Sequence, residues 1–594
     1  MPGVPSRMHR QILTVNVEDY FHVWALRGSD AVMRKHWDRL DPRLEASLDP
    51  LLELLERHGA KATFFVFGCI ADRQPQIIEK IVTRGHEIAS RGYWPRSLLG
   101  LGPGEFVDDL GRAKEALEAA GSNKIVGYRS PVWISKEHLW MLDRLIEQGY
   151  LYDSSINPIL FRFARDRFRW QMHQHWHSRN SAALWEVPIT TTGLFGVRIA
   201  ISGGNYIRQL PHRLLSRAVR HKTQRGSHPV VFYFMPWELD VEQPHIQGIS
   251  FVERVRHYRN LSKTRYVLEE YLAKYRFDGI ADYFGLTHEP LPKRTPTVHA
   301  VASPPLDEVG SDSQPEPVSL VVPLYNERQN ITYLQRTLLA FRSRLAAVYH
   351  IHLVLVDDCS SDDTWELLTA NFGGIPDCSL LRHPQNRGVA AALLTGIKNA
   401  PTEIVCSIDC DCSYDPNTLA KMIPLVEAAE MVTASPYHPQ GSVRNVPGWR
   451  LLLSKTLSKL YSAVVGERIH TFTSCCRVYR KSAIMDLELS HGGFLGVAEM
   501  LLEAKRRGYR IVEFPATLES RLFGESKMKI VRTIAGHLGL LRKIAIARRQ
   551  GAFISHVSPL GTGPAPRARF GRGAGRRSRT RRTKAGQGVH RAVG

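Results

Sequence analysis

Asp409 and Asp411 stand one residue apart at the end of an apolar run, Ile404-Val405-Cys406-Ser407-Ile408. The run has the composition of a buried strand. Two carboxylates at the carboxyl end of such a strand can hold a divalent cation, because hard cations take oxygen ligands. A cation there would clamp a diphosphate. In open α/β sheets that edge is where ligands bind. Taken alone, Asp-x-Asp is more often a solvated turn, so its weight must come from its surroundings.

The surroundings repeat the pattern. Val318–Glu327 reads as a buried strand running into a polar turn, and Ile331–Tyr349 as a helix. The strand Ile351–Val356 ends in Asp357-Asp358-Cys359-Ser360-Ser361-Asp362-Asp363. A helix over Thr364–Phe372 and a short strand at Ser379–Arg382 come next, then Asn386–Gly396. Three strands therefore end in acidic turns, placed on one edge of one sheet. The N-terminal half alternates in the same way. Ile12–Val17 is a strand ending in Glu18-Asp19, and Lys61–Gly68 is a second. Between them Leu44, Leu48, Leu51, Leu52 and Leu55 fall at helical spacing. Further helices are expected over 76–84, 105–120 and 136–148. Strand–helix–strand alternation builds parallel α/β sheets.

A chain of 594 residues exceeds one hydrophobic core, so two or more domains are expected. Apolar content of 43% and charged content of 23% are ordinary for globular protein, but the net charge of +22 is not. Ten positive charges, from Arg567 to Arg591, lie after Pro559 with no acid among them. The remainder is basic too, which suits anionic partners such as nucleotide sugars, lipid phosphates or an anionic membrane surface. The basic tail has no aromatic platform, which ranks nucleic acid low as a partner. Eight cysteines are scattered without Cys-x-x-Cys spacing, so they read as buried thiols rather than a zinc site. The first ten residues lack an apolar leader core, and no run of about 18 apolar residues occurs. These features predict a cytoplasmic protein able to lie on the inner membrane face. Residues 291–316, rich in Pro, Ser and acids, read as a disordered linker, and 551–594 as a disordered basic tail.

The C-terminal half resembles family 2 glycosyltransferases of the GT-A (Rossmann-like) fold, nearest to the dolichol-phosphate mannose synthase group. The resemblance covers about 317–550. It rests on Pro323-Leu-Tyr-Asn-Glu327, Val356-Asp-Asp-Cys-Ser360, Asn386-Arg-Gly388, Asp409-Cys-Asp411, Ser435-Pro-Tyr437 with Gly441-Ser442, Thr473–Tyr479 and Arg521-Leu-Phe-Gly-Glu-Ser-Lys527. It implies that Pro323, Tyr325 and Glu327 line a nucleotide pocket and that Asp357 contacts the base or ribose. It implies that Asp409 and Asp411 bind the diphosphate through Mg²⁺ or Mn²⁺. Arg521 and Lys527 would stabilise the leaving diphosphate or hold a lipid phosphate. Glu499 falls where the family has an acidic residue near the acceptor, either as a base for a hydroxyl acceptor or as a structural residue. Two basic amphipathic stretches, Trp449–Val465 and Ile534–Arg549, are expected either to lie on a membrane or to pack on the sheet.

The N-terminal half, over about 8–290, resembles polysaccharide deacetylases with the NodB homology fold, a distorted β/α barrel. The nearest subgroup is the one found in exopolysaccharide gene clusters. The matching pieces are Lys61–Gly68, Gly85-His-Glu-Ile-Ala-Ser90, Gly127-Tyr-Arg-Ser-Pro131, Tyr152-Asp-Ser-Ser155 and Pro236-Trp-Glu-Leu-Asp240, with the trailing Arg256–Ser262. The active positions depart from the family pattern. Asn16 stands at the base position, Arg91 and Pro95 at the two metal histidines, and Met235 at the late histidine. Glu18, Asp19, Arg129 and Asp153 remain, and His86 reads as a structural histidine. Asparagine cannot take the proton from a water, and a protonated guanidinium cannot ligate a cation. The expectation is an inactive deacetylase half, kept for packing or for glycan binding, joined to an inverting transferase. That transferase would use a nucleotide sugar and act on a polyprenyl phosphate or glycan. The alternatives are a working deacetylase with a rearranged metal site, or a non-catalytic glycan-binding scaffold.

Overall fold

The computed structural model describes residues 10–25, 37–286 and 315–549, apart from Ser97, Leu99, Ser122, 160–173, 178–182, 195–196, 226–227, Gly248, Asn445, Pro447 and 525–529. Lys527, the 291–314 segment and the basic tail therefore lie outside the described residues.

The N-terminal half is built on a nine-stranded, mostly parallel sheet. Arg10–Val17 is its central strand, flanked by Thr63–Val66, Val231–Phe234 and Arg276–Asp278. From Thr63–Val66 the sheet continues through Glu87–Ser90, Gly127–Tyr128, Tyr152–Asp153 and Ala183–Glu186 to Gln174–His177. The sheet curls on itself as the expected distorted barrel requires, and among the described residues its two outer strands do not pair. Residues 11–17 of the central strand are all buried, which explains why they read as a continuous run without alternation. The helix Leu44–Arg57 buries the leucine stripe that its spacing predicted. The second predicted strand is shorter than expected, because Gly68 already opens the helix Gly68–Arg73.

The C-terminal half is a seven-stranded mixed sheet. Its order is Cys378–Arg382, Tyr349–Asp357, Glu316–Leu324, Ile404–Ser407, Arg477–Arg480, Met431–Ser435 and Ile511–Pro515. Only Arg477–Arg480 runs antiparallel to its neighbours. Glu316 already belongs to a strand, so the sheet begins inside the segment expected to be linker. The strand order reverses between Glu316–Leu324 and Ile404–Ser407, and a crevice at such a switch point is the expected ligand site.

One hydrophobic cluster spans both halves. Tyr20, Phe21, Trp37, Leu40, Trp237 and Ile246 from the N-terminal half pack in it with Leu334, Leu338, Leu522 and Phe523. The halves are joined by a shared core, where a linker alone had been expected. Residues 1–553 form one compact unit. No helix among the described residues is long and apolar enough to cross a membrane.

Candidate functional site

Three parallel strands deliver their following loops to the same edge, as the acidic turns predicted. Each loop contains a non-glycine residue in the left-handed region: Asn326 (φ 54°), Cys359 (φ 60°) and Cys412 (φ 50°). Holding such a residue costs about 1 kcal/mol, and such positions concentrate at functional sites.

The loops enclose a cavity of about 230 Å³. Pro323, Tyr325, Glu327, Asp409, Asp411 and Arg521 all lie on its wall, so six of the residues chosen from sequence meet in one place. Asp411 Oδ1 accepts from the Ser413 N–H (2.9 Å) and hydroxyl (2.6 Å). Its Oδ2 lies 2.9 Å from Arg521 Nη2, and Arg521 Nη1 lies 3.7 Å from Glu327 Oε1. Asp409 is pushed up to about 7, chiefly by burial and then by the like charge of Asp411, while the Cys475 thiol and Arg521 pull it down. Three carboxylates face one guanidinium, so the site keeps an excess of negative charge that a divalent cation would complement. The donor set fits a hard cation. Among the described residues no cluster of three or more His, Cys, Asp or Glu groups is arranged to hold a metal. Asp409 and Asp411, on the wall, would be its protein ligands, with phosphate and water completing the shell, as Mg²⁺ commonly accepts.

Two of the residues chosen from sequence lie off this wall. Asp357 is fully buried, paired with Arg382 Nε at 3.1 Å and accepting from the Ser360 N–H, and it does not line the cavity. The wall carries Asp358 instead. Asp358 also accepts from the N–H groups of Arg387 (2.8 Å) and Gly388 (2.6 Å) and so fixes the Asn386–Gly388 turn against the site. Glu499, on the helix Phe494–Arg506, accepts from the N–H of His491 at 2.9 Å and sits 3.0 Å from His491 Nδ1. It lies off the cavity wall, where Phe494 stands. Asn386 and Gly388 belonged to a motif visible in the sequence. So did Cys475, within Thr473–Tyr479, whereas Phe494 carried no signal there. Lys527 lies outside the described residues.

Both amphipathic helices serve two masters. In Gly448–Val465, Leu457, Tyr461 and Val464 pack into the core, while Leu452, Leu453 and Leu460 are exposed. In Ile530–Arg549, Leu541 and Ile544 are buried, while Leu538 and Ile546 are exposed. A hydrogen bond of 2.8 Å between Tyr461 Oη and His537 Nδ1 ties the two helices together.

The deacetylase positions are filled from within. Arg91, at a metal-histidine position, is buried and pairs with Glu18 at 2.7 Å, so a side-chain cation stands beside the remaining carboxylate. Removing one partner of such a buried pair costs roughly 3–5 kcal/mol. Arg129 is fully buried, donating to Asn16 Oδ1 and Thr14 Oγ1 at 3.0 Å each and to the Ser154 hydroxyl at 2.8 Å. Burial, with the nearby Arg91 charge, lowers Arg129 to about 9. Asp19, pushed up to about 7 by burial, accepts from the N–H groups of Arg43 (2.8 Å) and Leu44 (3.1 Å). It thereby caps the helix Leu44–Arg57 from across the fold. Burial also raises Asp153 and its neighbour Glu186, and Asp153 accepts from the Ser155 N–H at 3.0 Å. Pro95 is buried and Met235 half-buried. Both nitrogens of His86 lack a hydrogen-bond partner, and burial lowers the ring to about 4, as befits a packing histidine.

The carboxylate-lined crevice lies at the switch point of a mixed α/β sheet in the C-terminal half, and the proteins similar to that half are glycosyltransferases. The chain belongs to glycosyltransferase family 2: the family model "Glycosyl transferase family 2" matches residues 319–488. "Polysaccharide deacetylase" matches 37–142, and "Domain of unknown function (DUF3473)" matches 154–285. A polyprenol monophosphomannose synthase from Mycolicibacterium smegmatis is 30% identical over 35% of this chain and 80% of its own length. A dolichol-phosphate mannosyltransferase from Pyrococcus furiosus is 29% identical over 36% of this chain and 59% of its own. An undecaprenyl-phosphate mannosyltransferase from Micrococcus luteus is 28% identical over 36% of this chain and 87% of its own.

Proposed function

We propose that the C-terminal half moves a sugar from a nucleotide sugar to a polyprenyl phosphate at the surface of an anionic membrane. The observation that carries this reading is the convergence of Asp409, Asp411, Glu327 and Arg521 on one cavity beneath Pro323 and Tyr325. A divalent Mg²⁺ or Mn²⁺ held by Asp409 and Asp411 would neutralise charge on the departing diphosphate. Arg521, already 2.9 Å from Asp411, is placed to take up the rest of that charge. A phosphate acceptor is ionised and needs no base, which agrees with Glu499 lying off the wall. The names of the three relatives support the acceptor class. The exposed Leu452, Leu453, Leu460, Leu538 and Ile546, with Lys455, Lys459, Arg542 and Lys543 on the same helices, support a peripheral site on the inner membrane face.

We further propose domains at 8–290 and 317–550, the first without amide hydrolysis because a guanidinium stands where a metal ligand is needed. The test is a panel of UDP-, GDP- and dTDP-sugars with polyprenyl phosphate in anionic vesicles, with Mn²⁺ or Mg²⁺ and with chelator. Metal-dependent release of one nucleoside diphosphate, abolished by Asp411→Ala, is expected. Silence across the panel with a folded protein would refute the transferase reading, and acetate release from an N-acetylated oligosaccharide would refute the inactive N-terminal half.

A further inference from the structure

Among the described residues, two contacts between the halves fall on the loops that carry Asp411 and Arg521, and a third on the helix Ile331–Leu345. Arg39, from the N-terminal half, lies on a short helical turn, Trp37–Arg39, and its side chain is only 11% exposed. Its Nη2 is 3.4 Å from Oδ1 of Asp415, four residues beyond Asp411. The same guanidinium hydrogen-bonds Tyr333. The Tyr333 ring in turn packs edge-on against Phe523, with centroids 5.9 Å apart, two residues beyond Arg521. A second contact is shorter: the backbone N–H of Gln247 donates to the carbonyl of Leu522 at 2.7 Å. Leu522 directly follows Arg521, and both Leu522 and Phe523 are buried in the shared core beside Ile246. A third contact fixes the helix that carries Tyr333: Arg336 donates to the Leu40 carbonyl at 2.9 Å and faces Asp41 at 3.3 Å.

Resting on the transferase reading above, we propose that the deacetylase-like half is a working part of the transferase site: Arg39 and the Gln247 N–H are positioning residues that hold the Asp411 and Arg521 loops in register. Neither touches the cavity wall. Arg39 acts through Asp415 and Tyr333, and Gln247 through Leu522. The arrangement explains why a half with a refilled hydrolytic site remains packed on the transferase. Diphosphate binding requires Asp411 and Arg521 to keep a separation of a few ångströms, and each sits on a loop whose outer side is held by the other half. Misplacement of such groups by about 1 Å can cost on the order of 100-fold in rate.

The test uses the full chain. Arg39→Ala, Arg39→Lys and Asp415→Asn would be compared with wild type for kcat and KM on the donor found above. Calorimetric binding of GDP or UDP with Mn²⁺ gives a readout independent of turnover, and thermal melting controls for folding. Arg39→Ala is expected to lower kcat about tenfold and to weaken nucleoside-diphosphate binding severalfold while the protein stays folded. Arg39→Lys, which keeps the charge, should recover part of both. In a double-mutant cycle, Arg39→Ala and Arg521→Ala should be less than additive, because one acts through the loop that carries the other. Should Arg39→Ala fail to fold, the milder Asp415→Asn reports on the same contact. An active wild type with unchanged kinetics and binding in the Arg39 and Asp415 variants, or additive effects in the cycle, overturns the positioning role alone. A silent wild type overturns the transferase reading and this inference together.

Discussion

Arg521 holds Asp411, and that contact sets up a competition. Its guanidinium occupies one side of a carboxylate that a divalent cation would also use. Replacing it with alanine removes a competing positive charge and also, on the proposed reading, a group that would stabilise the leaving diphosphate. The two consequences have opposite signs. Arg521→Ala is expected to bind Mn²⁺ alone severalfold more tightly by calorimetry, while sugar transfer falls roughly 100-fold, the usual scale for losing one preorganised electrostatic partner. Equal weakening of both would mean that Arg521 is a structural prop. His86 offers a residue-scale test of the other half. Its ring, buried without partners, has a folded pKa of about 4 against 6.5 unfolded. Between those values the unfolded chain binds a proton that the folded chain refuses, so stability falls as pH falls from 6.5 towards 4. At about 1.4 kcal/mol per pH unit, the loss reaches roughly 3 kcal/mol at the acid end. His86→Phe should therefore show a smaller drop in melting temperature between pH 7 and pH 5 than wild type. An identical acid slope would remove His86 from the account.

At the scale of elements, what could be read from sequence was whatever is encoded locally. The apolar runs at 12–17, 318–324, 351–356 and 404–407 are strands because each is buried on both faces, and burial on both faces leaves no alternation to misread. The acidic turns at their ends shared an edge because the three C-terminal strands are parallel neighbours. Choosing between Asp357 and Asp358 was beyond local pattern. Consecutive residues at a strand end point to opposite sides, and only the packing of Arg382 and of the Asn386–Gly388 turn decides which one meets the cavity. Gly388, with φ 91°, shows the same limit. A Cβ there would lie 2.6 Å from the Gly492 backbone, so the turn and the approach to the Phe494 helix need each other across about a hundred residues. The helices 448–465 and 530–549 were legible as amphipathic, and their division into a packed stripe and an exposed one was not. Nor was the capping of Leu44–Arg57 by Asp19, since its own N-cap position holds Arg43, which makes no side-chain cap.

At the scale of the molecule, the segment between the halves reads as a tether in sequence, yet a shared core also joins them. Tyr20, Phe21, Trp37 and Trp237 are each at most 7% exposed and lie in the same cluster as Leu334, Leu338, Leu522 and Phe523. Separating the halves would expose the faces of this cluster that now meet, at about 25 cal/mol for each Å² of apolar surface. Two outcomes follow from one protein carrying a protease site inserted within 291–314. Cleavage should leave the fragments together through size-exclusion chromatography, with transfer activity near that of the intact chain, because the shared core and the Gln247–Leu522 contact survive the cut. The transferase fragment produced alone, from 315 onward, should aggregate or melt well below the full chain. Fragments that part on the column, or an isolated transferase fragment that is monomeric and as stable as the full chain, would show that the shared core contributes little. Such a result would return the protein to two bodies on a string.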